Sequence, residues 1–181
     1  MKNWVKWILA TVILAAVIHL VTVIAIPYGI MLSLKLKSDK ANRKVNTLFH
    51  APRVTAESRR VVRPSPDLLY SACGYDVSKE ALRFTVPIPD TYWSLSFFAS
   101  NTDNFFVVND RDVKSKHIKI LLVGSNTSYP DPGDAQVVVS PTNKGVAIFR
   151  ILITDEDRLN HLIQVQKQAT CRAEQYKRNT D

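Results

Sequence analysis

This sequence predicts a mainly β (α+β) fold: an antiparallel β domain with one C-terminal helix, behind a single N-terminal transmembrane helix. Three observations carry that expectation. Residues 7–34 contain no Asp, Glu, Lys or Arg. After residue 58 come seven short segments rich in Val, Ile, Phe and Tyr, separated by turn-forming residues. Near the C-terminus the apolar spacing shifts from alternation to a helical period.

The charge-free run is long enough to cross a bilayer, for which about 20 apolar residues at about 1.5 Å each suffice. Leu, Ile, Val and Ala dominate it, and Trp4, Trp7 and Tyr28 bracket it like an interfacial aromatic belt. Pro27 and Gly29 are expected to mark its outer end. Its apolar part exceeds that of a cleaved signal peptide, and no small-x-small cleavage site follows, so an uncleaved signal anchor over 1–34 is expected. His19, inside the run with no acidic neighbour, reads as a neutral imidazole against lipid or a partner helix. Residues 35–58 are polar and basic and read as a juxtamembrane stalk. That leaves 59–181 for one β-rich, extracytoplasmic domain with its terminal helix.

The expected strands are 68–75, 81–86, 92–99, 105–109, 117–123, 136–139 and 145–153. In TYWSLSFFAS (91–100), Trp93, Leu95 and Phe97 alternate with Ser94 and Ser96, a strand with one large apolar face and one small polar face. Asn, Asp, Pro and Gly separate the strands, as at Pro87, Pro89 and Asp90. Thr154 is expected to cap the last helix, with Asp155, Glu156 and Asp157 in the first turn, where the dipole favours acids. Leu159, Leu162, Ile163 and Gln166 give it one packing face, and it is expected to reach about residue 176. No βαβ alternation suggests a parallel sheet.

The net charge is +8, unevenly placed. Residues 1–58 hold eight Lys or Arg against Asp39 and Glu57, while 59–181 are nearly balanced. Basic character is therefore a membrane-flanking feature, with Lys35, Lys37, Lys40, Arg43 and Lys44 suited to anionic headgroups. A nucleic-acid binder would instead spread cations over a folded face with aromatics between them, so no nucleic acid is expected. The same cluster bears on topology. Five cations follow the span and only Lys2 and Lys6 precede it, which by the charge rule alone puts the domain inside. Cys73 and Cys171 fit either one disulfide in an oxidising compartment or two buried thiols.

Chemistry-bearing motifs are sparse. There is no CxxC, HxxxH, HExxH or GxSxG, and five Gly build no phosphate-cradling loop. Hence no catalytic residue, metal ligand or cofactor is assigned. The triplet Asn126, Thr127, Ser128 fits a glycosylation pattern common by chance. Two polar clusters stand out. Arg63, Ser65, Asp67 and Tyr70 surround two prolines at a strand entry, and Asn101, Asp103 and Asn104 precede an aromatic strand. Either these groups share a pocket, or Asp and Asn cap the backbone donors of their own turns.

At these clusters the chain resembles the bacterial domain of unknown function numbered 1254, over roughly residues 45–155. The matching pieces are Asn46 and His50 in NTLFH, the run from Arg63 to Tyr70, Asp76 after Tyr75, the turn before Tyr92, Asn101 to Phe105, and SPTNKGVAIFR ending at Arg150. The chain departs at Ser65, where the family pattern has Asn before Pro-Asp. The resemblance implies a bacterial, exported or membrane-anchored domain without an established activity. It tips the topology towards a single-pass inner-membrane protein with a periplasmic domain. Longer members carry an adjoining domain numbered 1214, which implies that a separate membrane-anchored polypeptide of that kind is the partner here.

Two functions fit. One is a non-enzymatic, membrane-anchored interaction module. The other is a small-ligand-binding or hydrolytic domain using Asp67, Tyr70, Asp103 and Arg150. The candidate binding residues are Asn46, His50, Arg63, Asp67, Tyr70, Asn101, Asp103 and Arg150, and Cys73 and Cys171 are the disulfide candidates. The aromatic run 92–106 is the expected partner surface, because not all its rings fit one face of a small core.

Overall fold

The computed structural model describes residues 3–58, 63–113, 115–125, 129 and 131–174. Helix α1 (Asn3–Lys40) buries none of its residues, as expected of a helix whose solvent is lipid. It runs through Pro27 rather than ending there, and six residues past Leu34. The reason is physical: proline forfeits one backbone bond, whereas breaking the helix in an apolar medium would strand several. Its end is a Schellman turn. Arg43 N donates to Ser38 O (3.1 Å) and Asn42 N to Asp39 O (3.0 Å), with Asn42 in the left-handed region at φ 52°.

The stretch expected as a stalk is therefore helix at its start and part of the domain at its end. Leu48 is 8% exposed and belongs to the core. Asn46, also left-handed at φ 61°, accepts from Asp76 N (2.7 Å) and donates to Asp76 O (3.0 Å), imitating a strand partner. Two residues, β1 (Phe49–His50), then pair with β2 (Leu68–Asp76).

The remaining strands are β3 (Ala81–Pro87), β4 (Trp93–Ala99), β5 (Asn104–Asn109), β6 (His117–Gly124), β7 (Gln136–Ser140), β8 (Lys144–Leu152) and β9 (Thr170–Glu174). They form two sheets. Sheet A has the order β1-β2-β8-β4-β5, all antiparallel; sheet B has the order β7-β6-β3-β9. The mainly β fold is as expected, with one addition: β7 lies parallel to β6. Eleven residues, 125–135, connect the two.

Alternation sets the core. Leu69, Cys73 and Tyr75 of β2, Phe149 and Ile151 of β8, and Trp93, Leu95 and Phe97 of β4 point inward from sheet A. Leu82, Phe84, Ile120 and Leu122 meet them from sheet B, with Phe84 and Phe97 edge-on at 4.9 Å. Phe105 and Phe106 also pack onto this core, so the aromatic run leaves mainly Tyr92 and Phe98 outside.

The C-terminal element departs from expectation. Asp155, not Thr154, caps a 3-10 turn (Glu156–Arg158) by accepting from Asp157 N (3.1 Å). Helix α2 (Leu159–Gln168) then buries Leu162 and Gln166 and stops. Thr170 onward is strand β9, because β3 has an edge whose backbone groups a helix could not satisfy. Residue 176, the expected helix end, lies outside the described residues, as does the triplet 126–128. A disulfide joins Cys73 on β2 to Cys171, on β9 rather than on a helix, with Cα atoms 6.8 Å apart. It ties sheet A to sheet B beside their open edges.

Candidate functional site

Two surfaces collect the polar groups of interest. The first is the outward face of sheet A. Directly paired residues share a face, so one row across it reads Tyr70, Arg150, Ser94, Asn109. The next row reads Phe49, Ala72, Ile148, Ser96, Val107, and a third reads Gly74, Val146, Phe98, Asn104. The middle of the face is apolar, with Val107 51% exposed. Arg150 reaches across it and donates to Ser96 Oγ (3.3 Å). Ser94 and Ser96 are only 4% and 2% exposed although they point outward, because flanking side chains roof such small residues. Among the described residues Arg150 is in no ion pair. Its guanidinium thus lies half-buried on an apolar face with four of its five donors to spare.

The second surface is a groove of about 680 Å³ where the sheets part, between residues 45–50 on one side and 167–173 on the other. His50 stands in it, its Nδ1 hydrogen-bonded to Ser71 Oγ at 2.9 Å. Burial, and then the nearby Lys167 charge, hold this imidazole below its usual range. Lys167 supplies a cation, and Arg172, which its pairing with Arg83 puts on the outward face of sheet B, stands at the rim; among the described residues no acidic residue lines the groove. On the other face of β1, the Arg43 guanidinium sits 3.7 Å above the Phe49 ring. Beside the groove, burial would raise the Asp76 carboxyl, but hydrogen bonds from Ser78 and Lys144 outweigh burial and hold it lower.

The eight residues singled out from sequence are not gathered in one place. Tyr70 and Arg150 are cross-strand neighbours, and Asn46 and His50 share the groove. Asp67 and Arg63 lie exposed at the entry to β2. There Tyr70 Oη accepts from Ser65 N (3.0 Å) and Ser65 Oγ from Asp67 N (3.3 Å), a locally closed turn. Asn101 and Asp103 bond each other at the β4–β5 turn (Nδ2 to Oδ2, 2.5 Å), again closing their own turn. That turn lies more than five strand residues past Ser94, about 17 Å or more from the Arg150 row. Asp67, Tyr70, Asp103 and Arg150 therefore do not converge. Among the described residues no group of three or more His, Cys, Asp or Glu could hold a metal ion.

Sequence reasoning missed Lys167 and Arg172, because the expected continuous helix hid the turn at Ala169 that brings them to the groove. Ser94 and Ser96 were visible as a small polar face, but their place beneath Arg150 depends on the register of β4 against β8.

The fold is shared with the VPA0106 protein from Vibrio parahaemolyticus, at TM-score 0.63 and 18% identity, over 81% of this chain and 35% of that one. An uncharacterized protein from Burkholderia cenocepacia aligns at TM-score 0.49 and 15% identity, over 72% of this chain and 34% of its own. The chain thus spans about a third of the length of these structures. Among curated proteins none matches. A profile of the family described as Protein of unknown function (DUF1254) matches residues 45–173, and the chain belongs to that family.

Proposed function

We propose that this chain is a non-enzymatic interaction module, held at the outer side of a bacterial inner membrane by α1. The outward face of sheet A receives a second membrane-anchored protein, one resembling the family numbered 1214. The observation that carries this reading is Arg150, half-buried on an apolar sheet face and in no ion pair among the described residues. Interface centres favour arginine and aromatic anchors amid apolar surface, and Ile148 lies one row from this one, with Val146 and Phe98 one row further along the same face. A carboxylate on the partner would engage the fork of Arg150 bidentately. Confinement of both chains to one membrane raises their effective concentration, so a modest face suffices.

Helix α1 is long and apolar enough to cross a membrane. The Cys73–Cys171 disulfide supports an oxidising compartment for the domain, since such bonds seldom persist in the cytosol. The cations at 35–44 favour the other side, so topology needs its own measurement. Alkaline phosphatase fused after Asp181 is expected to be active. Activity only from a reporter that needs the cytoplasm would reverse the orientation. Partnering is tested by gentle detergent extraction, size analysis and mass spectrometry. A co-purifying membrane protein is expected with the native chain, and its loss with Arg150→Glu or Ile148→Asp at unchanged melting temperature. A strictly monomeric native protein would defeat the reading.

A further inference from the structure

We infer that the groove between β1 and β9 takes the phosphate of an anionic phospholipid from the bilayer in which α1 is anchored. This rests on the reading of α1 as a membrane anchor, but not on the partner or on the orientation of the domain.

Charge comes first. Lys167, Arg172 and His50 line the groove, no Asp or Glu does, and neither Lys167 nor Arg172 forms an ion pair among the described residues. Thr47 adds a hydroxyl donor. A fixed cation in the groove and a second at its rim, with a neutral donor beside them, suit a phosphate, which offers several acceptor oxygens at once. One wall is also apolar, through Val45 and Leu48, which suits the first carbons below a headgroup.

Position comes second. The groove begins at Val45, five residues past the end of α1, a reach of at most about 17 Å. That connection is not slack. The Schellman turn at Asn42 and the seat of Arg43 over Phe49 fold it back on the domain. The charge-free run is about 42 Å long as helix, against a hydrocarbon core of about 30 Å. The excess lets Lys35, Lys37 and Lys40 sit among the headgroups. A lipid phosphate is thus the anion present at the highest local concentration.

The test uses the full chain in nanodiscs of phosphatidylcholine with or without phosphatidylglycerol. A photoreactive residue replaces Thr47. Crosslinking to phosphatidylglycerol is expected, well above crosslinking to phosphatidylcholine. Lys167→Gln and Arg172→Gln are each expected to lower it about 5-fold, the effect of one cation near an anionic surface. Lys35→Gln with Lys37→Gln should leave it largely in place. A chain that fails to incorporate into nanodiscs would overturn the anchor reading itself. Incorporation without selective crosslinking would overturn the groove assignment alone. Inorganic phosphate bound at the groove in pure phosphatidylcholine discs, with no lipid crosslink, would make it a free-anion site and refute the lipid.

Discussion

Gly145→Ala is expected to be the most damaging single methyl group that can be added to this domain. Gly145 lies on β8 between Tyr75 of β2 and Ala99 of β4. A Cβ there would overlap the Phe98 carbonyl oxygen and the Tyr75 hydroxyl and ring. The glycine leaves the gap through which the Tyr75 hydroxyl crosses β8. That hydroxyl donates to Phe98 O at 3.0 Å and lies 3.0 Å from Ser140 Oγ, so it links sheet A to the end of β7. Adding the methyl group forces a choice. Either the β4 backbone moves, at an overpacking cost of about 1–3 kcal/mol. Or Tyr75 withdraws, leaving buried polar atoms unpaired at about 1–3 kcal/mol more. The first route costs about 1–3 kcal/mol and the second up to about 6 kcal/mol, which for a domain of this size lowers the melting temperature by about 3–20 °C. The assay is thermal unfolding of the detergent-solubilised full chain, followed by near-ultraviolet circular dichroism. Tyr75→Leu in the Gly145→Ala background should cost much less than the two separate effects added together, because it removes the group that the methyl strikes. A loss below about 1 kcal/mol, or simple additivity in the double variant, would refute the reasoning.

Three further outcomes are expected. Reduction of the disulfide, or Cys171→Ser, should cost up to about 4–5 kcal/mol, since the closed loop spans 98 positions; melting with and without dithiothreitol measures it, and two free thiols in exported protein would contradict it. The depressed pKa of His50 means that the unfolded chain takes up its proton first as the pH falls below about 6.5, so the contribution of His50 is whole above that value and is lost as the pH falls through the folded-state pKa. His50→Gln should flatten the pH dependence of melting between about pH 6.5 and 5, above the carboxylate range, and parallel profiles for the two proteins would count against it. Asn46→Ala should cost about 2–4 kcal/mol, through two lost hydrogen bonds and a left-handed alanine, whereas Asn46→Gly should recover the backbone part only; equal losses in both would assign everything to the hydrogen bonds.

Much of the architecture is legible one residue at a time. The charge-free run, the Trp93/Ser94/Leu95/Ser96/Phe97 alternation and the turn residues between strands are local signals, so α1 and seven of the nine strands fall where the sequence places them. Of the two readings the sequence leaves open for the polar clusters, the structure shows the local one: Ser65 Oγ accepts from Asp67 N and Asn101 Oδ1 from Asp103 N, each within its own turn. β1 and β9 were not legible. Each is short and is a strand only because a neighbouring edge needs its backbone groups. The parallel pairing of β7 with β6 is of the same kind.

By itself, then, the sequence determined the long apolar N-terminal helix, the β-rich domain behind it, its family resemblance and the placement of basic charge just past the apolar run. Tertiary structure decided which chemistry meets. The β2–β8–β4 register puts Arg150 among Tyr70, Ser94 and Ser96, and the return of β9 beside β3 carries Lys167, Arg172 and Cys171 to the edge where Asn46, His50 and Cys73 wait. Side-chain period and turn chemistry act over a few residues and can be read from the chain. Strand register and edge pairing are settled by backbone groups far apart in sequence competing for partners, and that competition is resolved only when the two sheets close on their shared core.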